Sequence, residues 1–122
     1  MRTLLILAAL VGTATANAAG TTHYLDLVNT ADNSITSFAV APSGSNAFRD
    51  ISFGNAPLHG GGDSTTVAIH GDANDCLRDL RIHFSDDRVL IQKNFDICKY
   101  RSYHTGQYLR AHDHGTLVVA QP

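Results

Sequence analysis

Histidine is the residue type whose placement most invites chemistry in this chain. Its seven imidazoles stand at positions 23, 59, 70, 83, 104, 112 and 114. His112 and His114 flank Asp113, and on an extended segment that spacing puts both rings on one side. A chain reversal at Thr105-Gly106 would bring His104 towards them and complete a three-nitrogen set of the kind that holds Cu or Zn. His104, His112 and His114 are therefore the candidate metal ligands. The same H-x-H spacing also describes exposed, hydrogen-bonding turn residues, and no ligand spacing of higher specificity accompanies it.

The other constellations are thinner. Asp72-Ala73-Asn74-Asp75 offers the oxygen ligands calcium prefers, with Asp63, Asp86 and Asp87 elsewhere, but it lacks the glycine and distal glutamate of a helix-loop-helix site and reads as an Asp-rich turn. Serine, histidine and aspartate are abundant, yet no G-x-S-x-G elbow frames a nucleophile. All 11 acidic side chains are Asp, and none has the isolated apolar setting that would split the pKa values of a carboxylate pair. Gly60-Gly61-Gly62 is not followed by the Lys-Ser/Thr and helix of a phosphate loop, so it reads as a hinge or turn. The balance is towards a protein without catalytic residues, with a hydrolase as the enzymatic alternative.

Two cysteines, Cys76 and Cys98, lie too far apart for a C-x-x-C redox motif. The N-terminus indicates which chemistry they do. Arg2 is followed by the apolar stretch 4–11, then by Gly12-Thr13, and Ala16-Asn17-Ala18 presents small residues to a signal peptidase. The apolar stretch is shorter than the roughly 20 residues that span a bilayer. Residues 1–18 thus read as a Sec-type signal cleaved after Ala18, with a periplasmic or extracellular destination and no membrane insertion. An oxidising compartment makes a Cys76–Cys98 disulfide the expected state, with a contribution of roughly 3 kcal/mol.

Residues 19–122 have the size of one domain. Without Arg2 they carry 8 basic against 11 acidic side chains, a formal charge of −3. With no clustered Lys or Arg to displace counterions, nucleic acid is excluded as a partner. Asp in place of Glu, and Lys only at 93 and 99, disfavour helix and favour turns.

Short alternating segments confirm that leaning. In 22–29, Leu25 and Leu27 alternate with polar positions, and in 35–41 Phe38 and Val40 do the same. A tight turn at Asp32-Asn33 would pair Leu27 with Phe38 and Leu25 with Val40 in one hairpin. Residues 47–58 read as a crossing segment with one short strand, 59–63 as a flexible loop, and 64–70 as a strand. Leu80, Ile82 and Phe84 then alternate up to Asp86-Asp87, and a two-residue turn there pairs Phe84 with Val89 and Ile82 with Ile91. A bulge at 93–95 would align the cysteines across this hairpin. Segments 99–104 and 107–111 flank the turn signal Thr105-Gly106, and 116–120 closes the chain as a strand. The expected fold is all-β: a small antiparallel β-sandwich of about seven strands with one intradomain disulfide.

Val28-Asn29-Thr30, Ile35, Val40-Ala41-Pro42-Ser43, Asp50-Ile51, Leu58, Cys76-Leu77-Arg78-Asp79-Leu80 and Asp96-Ile97-Cys98 together resemble an uncharacterised family of small exported bacterial proteins. The resemblance covers about residues 25–98. It implies a small β-sandwich and no established activity. Phe48 stands where that family usually has Trp, and the His-bearing tail after Cys98 is additional.

The function these features favour is a secreted or periplasmic, non-enzymatic binding module for a protein or glycan. Its expected contacts are loops at one end of the sandwich: Ser43, Asn46 and Phe48 from one, His59 and Asp63 from another. The alternatives are a transition-metal protein using the C-terminal histidines, with Cu or Zn as its only cofactor, and a hydrolase.

Overall fold

The computed structural model describes residues 12, 20–54, 57–71, 74–107, 109 and 117–122. The cleavage site after Ala18, the acidic turn at Asp72 and the pair His112 and His114 lie outside the described residues. Eight strands follow in order: β1 (Thr21–Asn29), β2 (Ile35–Pro42), β3 (Arg49–Asp50), β4 (Asp63–Gly71), β5 (Leu77–Phe84), β6 (Val89–Asp96), β7 (Ser102–His104) and β8 (Leu117–Ala120). No helix occurs among the described residues. The strands form a three-stranded sheet, β4-β1-β7, and a five-stranded sheet, β3-β2-β5-β6-β8.

The sheets face each other across one core. Leu25 and Leu27 of β1, Val67 and Ile69 of β4 and Tyr103 of β7 meet Phe38 and Val40 of β2, Leu80 and Ile82 of β5 and Leu90 of β6. Neither sheet could bury its apolar face alone, so the two-layer arrangement follows from the period-2 alternation itself. The inner pairings are antiparallel, but β7 joins β1 and β8 joins β6 in parallel. The sheets are therefore mixed rather than purely antiparallel.

The expected β1–β2 hairpin does not form. The chain crosses at 30–34 from one sheet to the other: β1 pairs with β4 and β7, while β2 pairs with β3 and β5. Leu25, Leu27, Phe38 and Val40 are all buried, but they meet across the sandwich. Alternation reports which face is inward and does not distinguish an in-plane neighbour from one in the opposite layer.

The β5–β6 hairpin forms with a different register. Phe84 accepts from the Asp87 N–H and donates to the Arg88 carbonyl, and Asp87 has φ of 67°. This is a three-residue loop, a type I turn closed by one left-handed residue, rather than a two-residue turn. The extra residue opposes Ile82 to Leu90 and Leu80 to Gln92. Leu90 and Gln92 consequently point inward, and Val89 and Ile91 are left half-buried on the outer face, because a one-residue slip exchanges the faces.

The bulge expected on β6 is present. Two steps along β5, Arg78 to Leu80, span three along β6, Phe95 to Gln92, and Asn94 carries φ of 51°. The Cys76–Cys98 disulfide closes the open end of the hairpin, with S–S 2.07 Å and Cα–Cα 5.3 Å. Combined with the longer loop, the bulge sets Ile97, one residue short of Cys98, against Cys76, whose carbonyl accepts from the Ile97 N–H.

Thr105 is not a free turn residue, and the second arm expected beyond it, 107–111, lies partly outside the described residues. Thr105 is buried and its Oγ1 donates to Asn29 Oδ1 at 3.0 Å, so the chain is drawn onto the end of β1. The 59–63 segment is not a free hinge either. The N–H groups of Gly61 and Gly62 donate to the carbonyls of Ala31 and Asn29. A Cβ on Gly60 would collide with the Ala31 and Asp32 carbonyl oxygens, so only glycine permits this approach.

Candidate ligand-binding groove

β3 and β4 are edge strands on the same side of the sandwich, and between them the two layers leave a groove of about 440 Å³. Its floor is apolar. Val40 and Ile69 reach it from the inward phases of β2 and β4, and Ile51 comes from the segment after β3. Arg49, Asp50 and His70 line it as exposed polar groups, and Ala47 adds a small, exposed side chain.

Arg78 forms the far wall. It shares the inward phase of Leu80 and Ile82, yet it is a cation, and it is only 4% exposed. Its Nη1 donates to the Asp75 carbonyl at 2.7 Å and pairs with Asp75 Oδ1 at 2.8 Å. Such a group is retained in an interior only when paired and hydrogen-bonded. Its guanidinium stands against Gly71, which also lines the groove.

The adjacent residue fixes the rim. Asp79 faces outward on β5 but is fully buried under the β2–β3 connection. Its carboxylate accepts from the N–H groups of Asn94 (3.0 Å) and Gly44 (2.9 Å), and Lys93 Nζ lies 3.4 Å away. Burial alone would raise its pKa. The two backbone donors and the Lys93 charge outweigh that and hold it below the usual carboxylate value. One side chain thereby ties the β6 bulge to the 43–48 segment.

Ser43 and Asn46 belong to that segment. The Ser43 hydroxyl bonds the Asn94 side chain, and Asn46 takes a left-handed conformation with φ of 55°. Phe48 lies under the Arg81 guanidinium, 4.5 Å from its ring centroid, so it braces the outer face of β5. The 43–48 segment therefore leads straight into the groove, which begins at Pro42 and Ala47.

His59 and Asp63 sit elsewhere. Leu58 bridges to Ile35 at the start of β2, whereas Ser43 follows its end. The two loops expected to act together thus occupy opposite ends of the sandwich, separated by the length of β2. His59 Nδ1 meets Ser34 Oγ at 3.4 Å, near the β5–β6 loop, where Asn33 donates to Asp86.

His104 is exposed on β7, and its two proposed co-ligands lie outside the described residues. Among the described residues, one trio of potential ligand atoms clusters closely: Cys76, Asp96 and Cys98. Its sulfurs are bonded to each other and are not thiolates, so it does not offer a metal site.

Arg49, Asp50, Ile69, His70 and Arg78 were not among the expected contacts. One of them left a signal: Arg78 breaks the apolar phase of β5, and a charge in a core phase marks either a paired structural ion or a site. The rest depend on which strands become edges, which alternation does not report. No family model, curated protein or solved structure matches the chain.

Proposed function

We propose that this chain is an exported, non-enzymatic binding module that takes a segment of protein or glycan in the groove between β3 and β4. The groove itself carries the reading: about 440 Å³ of concave space, an apolar floor and a few polar groups at the rim, the composition from which ligand sites are built. Both signs of charge are present, which suits a ligand with polar groups along its length better than a uniformly charged one. Among the described residues, the two carboxylates with shifted pKa, Asp79 and Asp86, lie outside the groove and are engaged with backbone amides. The disulfide is in keeping with an oxidising destination.

Ala47→Trp tests the site, because Ala47 is exposed and an indole there would occupy the groove without entering the core. Extended peptides and oligosaccharides immobilised as arrays are the probes. Ligands retained by the wild type should be lost by Ala47→Trp at unchanged thermal stability. Equal retention by both proteins would refute the assignment.

A further inference from the structure

Four strands end the two sheets, and three of them are short: β3 has 2 residues, β7 has 3 and β8 has 4. β4 has 9. Exposed edges are normally blunted by shortness, proline, lysine or a bulge. β4 (DSTTVAIHG) contains no proline, lysine or arginine, and its register with β1 runs without a shift from Thr21↔Gly71 to Asn29↔Asp63. Apart from its ladder with β1, residues 64–70 make no backbone hydrogen bond to the described residues.

We propose that β4 is a dimerisation strand, pairing antiparallel with β4 of a second copy about a two-fold axis at Val67. This proposal does not rest on the groove having a ligand. A register centred on Val67 uses the whole strand and opposes Asp63 to Gly71, Ser64 to His70, Thr65 to Ile69 and Thr66 to Ala68. On the inward phase Val67 meets Val67, Thr65 meets Ile69 and Asp63 meets Gly71, on the outward one hydroxyls meet small or imidazole side chains, and no like charges face each other.

The ends of the strand supply the complementarity that selects a second copy as the occupant. Gly71 has no side chain, and Arg78 Nη2 stands where its Cβ would be. Asp63 is exposed and shares the inward phase of Gly71, since both are an even number of residues from Val67. Directly opposed positions have Cβ atoms about 5 Å apart, so Asp63 of each copy reaches the Arg78 guanidinium of the other. An isologous interface makes this contact twice. The result joins two three-stranded sheets into one six-stranded sheet.

Sedimentation velocity over a concentration series reads the association. The wild type is expected to shift from monomer to dimer as concentration rises. Thr66→Lys with Ala68→Lys places lysine against lysine twice across the axis, on the exposed face, and should leave a folded monomer. Thr66→Lys with Ala68→Glu places opposite charges at the same two contacts and should restore the dimer, which also shows that the positions tolerate substitution. Asp63→Asn should weaken association with no change in thermal unfolding measured at concentrations where the wild type is monomeric. A wild type that stays monomeric into the millimolar range, a dimer indifferent to the double lysine, or a Lys/Glu variant that stays monomeric would each overturn the proposal.

Discussion

Replacing Asn29 with leucine removes the polar hub on which the 30–34 crossover, Leu58 and Thr105 converge. The carboxamide is fully buried. Its Nδ2 donates to the Asn33 carbonyl (2.8 Å) and the Leu58 carbonyl (2.9 Å), and its Oδ1 accepts from the Ala31 N–H (3.2 Å) and Thr105 Oγ1 (3.0 Å). At about 1 kcal/mol net for each bond, with buried partners left unsatisfied, the loss should reach about 3–5 kcal/mol. That is a large part of the 5–15 kcal/mol available to a typical domain. Urea unfolding with the disulfide intact measures it. With a slope of about 1–3 kcal/mol/M, the midpoint should fall by about 2 M while the slope is unchanged. Asn29→Asp sharpens the reasoning. The new carboxylate keeps both acceptor contacts but turns an oxygen towards two carbonyls, which raises its folded pKa above the ordinary value of about 3.9. Its deficit should therefore be smallest below about pH 4 and grow as pH rises through the folded pKa. A loss under about 1 kcal/mol for the leucine variant, or an aspartate variant insensitive to pH, would refute the hub.

Asp79 should give the opposite pH dependence: its folded pKa is lowered, so its contribution is present above about pH 4 and lost as pH falls through the folded value. Asp79→Asn should flatten the acid limb of a stability–pH curve measured by thermal melts. Replacing both cysteines with alanine opens a loop closed at a separation of 22 residues and should cost about 3 kcal/mol in denaturant midpoint experiments, with a matching loss for the wild type in reductant.

The sequence carried the layer assignment well and the neighbour assignment poorly. Leu25, Leu27, Phe38, Val40, Val67, Ile69, Leu80 and Ile82 are all core residues, as alternation indicated, and the cysteines bond. Yet β1 and β2 separate into different sheets, since apolar residues at matching intervals satisfy either partnership. On β6 the whole difference rests on one residue: Asp87 in a left-handed conformation lengthens the turn, and Leu90 and Gln92 replace Val89 and Ile91 inside. Asn46, Asp87 and Asn94, the non-glycine residues with positive φ among those described, are all Asn or Asp, the types whose short polar side chains tolerate that region. Gln92 was hidden for a different reason. It is a polar side chain in a core position, kept there because its amide donates to the Ala120 carbonyl and accepts from the Tyr103 hydroxyl, a network assembled from three strands. The groove was illegible because it arises where β3 and β4 become edges. Of the expected contacts, Ser43, Asn46 and Phe48 belong to the segment that leads into it, while His59 and Asp63 were drawn to the other end by the bridge between Leu58 and Ile35.

Methyl-resolved NMR locates the ligand surface most directly. Val40, Ile51 and Ile69 report on the groove, and Leu117 and Val119, exposed on the opposite edge strand, serve as controls during titration with extended peptides and oligosaccharides. Shifts concentrated on the first three methyl groups, with the controls unmoved, are expected. Shifts concentrated on Leu117 and Val119, or none with any probe at millimolar concentration, would contradict binding in the groove.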